Sequence, residues 1–131
     1  MLDANVLFSA ILSRNSIIGK MVEYIKDNHK IVICLYALEE IVRGFYKKFP
    51  DKVQNMYDDL EFLPYEFVHF NCIDQSNYPK IKDNDDLPIL VAAIEAQVDI
   101  LITGDTDFDD VKIDKPRIMK PRQFQDEYMN L

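Results

Sequence analysis

No stretch of this sequence approaches the ~20 apolar residues that span a bilayer, and its opening, Met1-Leu2-Asp3, lacks the basic then apolar segments of a secretion signal. A cytoplasmic protein that meets no membrane is expected. Cysteine is scarce: Cys34 and Cys72 stand far apart, form no CxxC pair and sit among apolar residues. That argues against a disulfide or a thiolate zinc site, and both read as buried free thiols. The few glycines supply neither GxxxxGK[ST] nor GxGxxG, so no loop is built to cradle a nucleotide phosphate. Only two histidines occur. His29 falls at a helix-strand junction and His69 inside a predicted strand, so both read as structural and a histidine-pair ribonuclease is disfavoured. Basic charge is short as well. Fifteen Lys and Arg against 23 Asp and Glu leave a formal net charge of −8, which argues against a general nucleic-acid-binding surface. Acids concentrated in one site and carrying divalent cations would escape that argument, because the bound metal supplies positive charge that composition hides.

What is present suits one domain covering residues 1–131, since 131 residues at 48% hydrophobic can bury an ordinary core. The chain is organised around Ile100-Leu101-Ile102-Thr103-Gly104-Asp105-Thr106-Asp107-Phe108, an apolar run that stops at a glycine and two carboxylates. Branched residues without alternation predict a parallel strand covered on both faces, with Gly104 permitting a sharp exit. In open α/β sheets ligands sit beyond the carboxyl ends of the strands, where Asp105 and Asp107 fall. Elsewhere Met1-Leu2-Asp3 reads as a very short strand ended by an acid, followed by a carboxamide, Asn5, and an apolar turn. Ser16 to Asn28 has helical spacing with Ser16 as N-cap, and Lys30 to Cys34 is a strand. A helix from about Tyr36 to Phe49 ends at Pro50, and another runs from Asp51 to about Leu63. Phe67 to Phe70 is a predicted strand and Asn71 to Lys82 a connecting loop. Asp86 opens a helix that runs to about Gln97, Pro88 being tolerated where early N–H groups lack partners. A carboxylate at that end is expected to be held ionised by the helix dipole. Arg117 to Met119 is the last strand and Pro121 to Tyr128 the closing helix. Strand and helix alternate, which predicts a three-layer α/β/α sandwich around a mostly parallel sheet.

Asp3, Asp105 and Asp107 therefore end strands, Asp86 begins a helix, and Glu40 borders the apolar stripe of another beside the small residues Ala37 and Gly44. Glu39 flanks the opposite edge of that stripe, so the wheel prefers Glu40. All of these acids can converge on one rim. Carboxylates gathered there raise one another's pKa unless a cation neutralises them, and oxygen-only ligands select hard divalent ions such as Mg²⁺ or Mn²⁺. Such ions make a nucleophile of water and stabilise a phosphodiester's leaving oxygen, so phosphodiester hydrolysis is the natural chemistry.

Five segments carry a resemblance. Asp3-Ala4-Asn5-Val6-Leu7 is similar to an opening D-T-N-V-L, Leu38-Glu39-Glu40-Ile41 to a helix-borne acid, and Asp83-Asn84-Asp85-Asp86-Leu87-Pro88 to a third acidic segment. Thr103-Gly104-Asp105-Thr106-Asp107-Phe108 resembles a T-G-D-x-D-[FL] block, and Met119-Lys120-Pro121-Arg122-Gln123-Phe124 a closing strand-to-helix turn. In this order they resemble the PIN-domain family, and among its members the small VapC-like toxins of prokaryotic toxin-antitoxin pairs. The resemblance implies Asp3, Glu40, Asp86 and Asp105 as catalytic metal-binding acids with Asp107 as an auxiliary ligand, and Asn5, Ser9 and Thr103 as hydrogen-bonding supports. It implies a Mg²⁺- or Mn²⁺-dependent endoribonuclease acting on RNA, a homodimer, and a partner antitoxin protein. Asp85 competes with Asp86, which is favoured because Asp-Leu-Pro-Ile fits the opening of a helix. Ala4 stands where the family has threonine, which removes a hydroxyl but no ligand, and the first strand is nearly absent.

Two other functions fit parts of this pattern. A catalytically degenerate PIN scaffold would serve as a protein-binding module, binding metal weakly and cleaving nothing. A flap-type DNA nuclease would use the same metal site, but the chain lacks long insertions and a basic arch. Asp83, Asp85, Asp109 and Asp110 read as turn and capping residues. Arg43, Lys47, Lys48, Lys112, Lys115, Arg117, Lys120 and Arg122 are candidates to position phosphates, against the plainer reading that they solvate the surface.

Overall fold

The computed structural model describes residues 1–70 and 75–129. Four named strands form two parallel pairs. Strand β1 (Ile31–Cys34) pairs with β2 (Tyr65–Val68), Ile31 opposite Tyr65, and β3 (Ile100–Ile102) pairs with β4 (Arg117–Met119), Ile100 opposite Arg117. The opening residues join the pairs: Leu2 N–H donates to Val32 O on β1 at 3.2 Å, while Asp3 N–H donates to Ile102 O and Ile102 N–H to Met1 O, at 3.0 and 2.9 Å. The first strand is as short as expected, yet it lies at the centre of a parallel sheet and so delivers Asp3 to the carboxyl rim beside the end of β3.

Helices cover this sheet in the mixed α/β arrangement expected from the sequence. The main departure comes at once: where an apolar turn was expected after Asp3, helix α1 (Ala4–Leu12) begins, with Asp3 as its N-cap. Val6, Leu7 and Ala10 face the core at helical spacing, and Asn5 and Ser9, four apart, form the exposed polar stripe. Helix α2 (Ile17–Asn28) starts at Ser16, whose hydroxyl accepts from Gly19 N–H at 3.1 Å, as the capping signal indicated. Helix α3 (Leu35–Lys48) buries Ala37, Ile41 and Phe45. Its Gly44 lets α1 approach closely, since a Cβ there would stand 2.7 Å from the Phe8 ring. Pro50–Lys52 forms a 3₁₀ turn before α4 (Val53–Phe62), so that helix starts later than Asp51.

Strand β2 lies two residues earlier than the predicted segment, which leaves His69 beyond the strand, with its ring 5.8 Å from Tyr36. Cys34 is a fully buried free thiol held protonated by burial, whereas Cys72 lies outside the described residues, as does the start of the predicted 71–82 loop. Helix α5 (Leu87–Glu95) is apolar on nearly every side, and Leu87 and Ile89 to Ala93 are all buried. It closes on Gln97 in the left-handed region, φ 54°, with Val98 N–H reaching Ala93 O. The closing helix α6 (Pro121–Phe124) widens into a π-turn over Gln125–Met129. Among the described residues no helix is long and apolar enough to cross a membrane.

Candidate metal centre

The rim beyond β3 and the first strand holds the acids. Asp3 is 3% exposed, and three donors fix its carboxylate: Ala4 N–H at 2.7 Å on Oδ1, and the Thr103 hydroxyl at 2.7 Å and Asn5 Nδ2 at 3.4 Å on Oδ2. Burial raises its pKa, while the bonds from Thr103 and Ala4 pull the other way. Thr103, itself buried at the end of β3, also accepts from Asp105 N–H at 3.1 Å, so one hydroxyl sets the positions of two acids. Asn5 Oδ1 accepts from Gly104 N–H at 3.0 Å and ties α1 to the loop after β3. Gly104 does not have positive φ, and a Cβ there would make ordinary contact with Asn5. The sharp exit is thus made by these side-chain bonds and not by glycine's freedom. Ser9 sits one turn beyond Asn5 on the rim, but among the described residues its hydroxyl bonds none of the acids.

Asp105 ends the loop with its Oδ1 accepting from Asp107 N–H at 2.9 Å, a tight turn that brings Asp107 back over the site. On α3, Glu40 faces the cluster. Lost hydration and then Asp3 raise its carboxyl, Arg43 one turn on lowers it, and Asp105 and Asp85 add repulsion. Glu39 points elsewhere, into a shallow surface groove with Leu38, Val42 and Arg43.

Asp86 is the least satisfied of the group. It occupies the N-cap position of α5, but its side chain caps nothing, and its Oδ2 is buried without a hydrogen-bond partner. The helix dipole was expected to hold it ionised. Burial and the Asp105 carboxylate, with Asp3 and Asp83 behind it, outweigh the dipole and push its pKa up to about 7. Asp85 is exposed and its backbone N–H donates to Asp83 at 2.9 Å. Asp83, read from the sequence as a turn residue, is drawn in as well: carboxylate oxygens of Asp83, Asp86 and Asp107 all lie within 4.8 Å of one another. The missed signal was the i, i+3 spacing of Asp83 and Asp86 across a 3₁₀ turn (Asn84–Asp86), which puts both on one side.

A buried carboxylate oxygen with no donor, surrounded by further carboxylates, is costly unless a proton or a cation meets it. The donor set is oxygen only, which fits a hard divalent ion and not zinc or copper. The basic candidates divide. Lys115 pairs with Asp99, Arg117 with Glu127, Lys120 with Asp109 and Arg122 with Asp126. Arg43, Lys47, Lys48 and Lys112 are exposed and, among the described residues, form no ion pair.

A parallel α/β sheet with a carboxylate rim at its carboxyl end places this chain among α/β domains whose acids could hold a hard cation. The particular family follows from comparison: the PIN-domain family model matches residues 1–107, and the chain belongs to that family. Among solved structures it is similar to the crystal structure of VapBC2 from Rickettsia felis bound to a DNA fragment from their promoter. That likeness has 22% identity over 92% of this chain and 96% of the other, with a TM-score of 0.68, and it extends to the fold. No curated protein matches the chain.

Proposed function

We propose that this protein is a metal-dependent endoribonuclease and the toxin of a type II toxin-antitoxin pair, working as one domain over residues 1–131. PIN domains are typically metal-dependent nucleases, and the acid cluster is the equipment such an activity needs. The observation that carries the reading is the buried, partnerless Asp86 Oδ2 amid acids that three elements bring together. Asp3, Glu40, Asp86 and Asp105 would hold Mg²⁺ or Mn²⁺, with Asp107 and Asp83 at its edge. When bound, the ion would supply the Lewis acidity that activates water and stabilises the departing oxygen.

The protein's own part is positioning. Thr103 and Asn5 lock Asp3, and Thr103 with Asp107 N–H locks Asp105, so these carboxylates need no reorganisation when substrate arrives. A water oxygen bonds to phosphorus and a ribose oxygen leaves, the water giving up a proton and the ribose oxygen gaining one. The products are a phosphomonoester end and a hydroxyl end. Arg43, whose charge acts on Glu40, would meet a phosphate oxygen, and Lys47, Lys48 and Lys112 would add weaker attraction. A homodimer and an antitoxin partner are proposed from the likeness to the VapBC2 complex.

The test is incubation of the purified protein with single-stranded and structured RNA in Mn²⁺ or Mg²⁺, with and without chelator, beside Asp105→Asn. Cleavage that disappears in both the chelated and the Asn samples is expected. Cleavage that persists in the variant, or none by the wild type, overturns the assignment.

A further inference from the structure

Asp105 lines two separate depressions. One is a shallow groove with Asn5, Ser9, Ile18 and Pro121, which offers little to distinguish one ligand from another. The other is a cleft of about 380 Å³ that Thr103 and Asp105 share with the acid site. Buried Phe108 and Met119 and half-buried Val111 and Ile113 form one apolar wall of an otherwise polar cleft, and Asp114 and Gln123 stand at its exposed edge. We propose that this cleft receives one nucleobase of an RNA strand, the base flanking the phosphate held at the acids, and that Asp114 and Gln123 select a base bearing an exocyclic amine. The inference rests on the ribonuclease reading and adds to it a site of sequence choice.

Phosphate contacts set register without reading sequence, so any preference must come from a pocket that accepts a base. Sequence-specific recognition of single-stranded RNA works in this way, with a splayed base packed on apolar surface and read along its edge. The cleft is of the size of small-ligand sites, and Asp105, one of the acids proposed to hold the metal, forms part of its wall.

The polar groups at its edge are not equivalent. Lys120 and Asp109 are paired at 3.1 Å, and Arg117 is engaged by both Glu127 oxygens, so those charges are already answered. Gln123 Oε1 accepts from Lys120 N–H at 2.7 Å, which fixes the amide and leaves its NH₂ to donate. Asp114 is exposed and, among the described residues, in no ion pair, so it offers two acceptor oxygens. A carboxylate accepts well from the amines of cytosine, adenine or guanine. Uracil's one edge donor is flanked by two carbonyl oxygens, which repel a carboxylate. The amide NH₂ then meets the ring acceptor beside the amine on cytosine and adenine, while on guanine the carboxylate accepts from both the amine and the neighbouring N1–H.

The experiment gives the full chain a randomised single-stranded RNA pool in Mn²⁺ and sequences the new ends. Its readout is the ratio of cleavage beside A, C or G to cleavage beside U at the flanking position. The wild-type ratio is expected to stand well above one and to fall about tenfold in the double variant Asp114→Ala, Gln123→Ala, and again when Ile113→Trp fills the cleft. A ratio within one sample is not moved by a change in overall rate. Asp114 and Gln123 are surface residues, so the double variant carries the test even if Ile113→Trp does not fold. A wild type that cleaves without preference, prefers uracil, or keeps its ratio in the double variant overturns the cleft while leaving the ribonuclease reading intact. Absence of any metal-dependent cleavage by the wild type overturns that reading, and the cleft falls with it.

Discussion

The acid cluster has two halves built in opposite ways. In the half made by the first strand and β3, the protein answers its own charges: Asp3 receives three donors, and Asp105 is tied through its N–H to Thr103 and through its Oδ1 to Asp107. In the half around the start of α5, Asp83, Asp86 and Asp107 crowd within 4.8 Å, and Asp86 keeps a buried oxygen to which no group donates. One half is pre-organised by hydrogen bonds, and the other is left for an external charge to complete. Rigid ligands on one side and unsatisfied ones on the other provide both geometry and driving force for cation binding.

The largest expected effect breaks the ordered half at its centre. Asp105→Asn removes one negative charge while keeping the turn to Asp107, and RNA cleavage should fall on the order of 10³-fold with the melting temperature nearly unchanged. Cleavage within a few-fold of wild type would show that the ordered half is scaffold only. Next, Thr103→Val deletes the hydroxyl that donates to Asp3 and accepts from Asp105 N–H. We expect a 10- to 100-fold loss in metal affinity or cleavage, roughly that of other supporting groups, with about 1–3 kcal/mol of stability lost because Asp3 stays buried. Thr103→Ser should restore most of both in denaturant melts and rate measurements.

A smaller effect sharpens the contrast between the halves. Asp83→Asn touches only the open half, where its carboxylate is exposed. Mn²⁺ affinity by calorimetry should weaken several-fold, less than for Asp86→Asn, whose oxygen is the buried one. Equal losses in the two variants would mean that the open half acts as a diffuse acidic surface. Far from both halves, Gln97→Gly should leave metal affinity alone and add about 1 kcal/mol of stability, since Gln97 occupies the left-handed region at the end of α5.

The ordered half was legible in the sequence and the open half only partly so. An apolar run ending in Thr-Gly-Asp-x-Asp announces a strand that delivers carboxylates, and the hydrophobic stripe of α3 prefers Glu40 over Glu39; it is Glu40 whose carboxyl is raised by burial and by Asp3 and Asp105. Capping and period found α2 and α3 to within a residue or two. Helix α1 was missed because an apolar segment after a very short strand was taken for a turn, although Asn5 and Ser9 already marked a helical stripe. Asp83 was missed for a different reason. Local chemistry makes an aspartate before a helix a turn residue, and only the meeting of the 83–86 turn with the loop after β3 turns it into a neighbour of Asp107. Asp86 was placed correctly, but its protonation was misjudged. A helix dipole is read from one element, whereas what defeats it is burial in the folded site and then repulsion from residues about 20 and 80 positions away.

That burial and crowding have a thermodynamic signature. Asp86 has its pKa raised from 3.8 to about 7 in the folded protein, and Asp3 and Glu40 are raised as well. Between those values the unfolded chain has released the Asp86 proton while the folded one retains it, so unfolding releases a proton. Stability of the metal-free protein must then fall as pH rises from about 4 to about 7, the reverse of a salt-bridged aspartate. Thermal melts in chelator should show a higher midpoint near pH 5.5 than near pH 7.5, and Asp86→Asn should flatten that slope relative to wild type. Because a cation takes the place of the proton, Mn²⁺ should raise the midpoint more at the higher pH. A slope equally steep in Asp86→Asn would move the source of the effect to Asp3 or Glu40. A Mn²⁺ shift independent of pH would mean that the ion binds where no proton is displaced, away from the unsatisfied oxygen that sets the two halves apart.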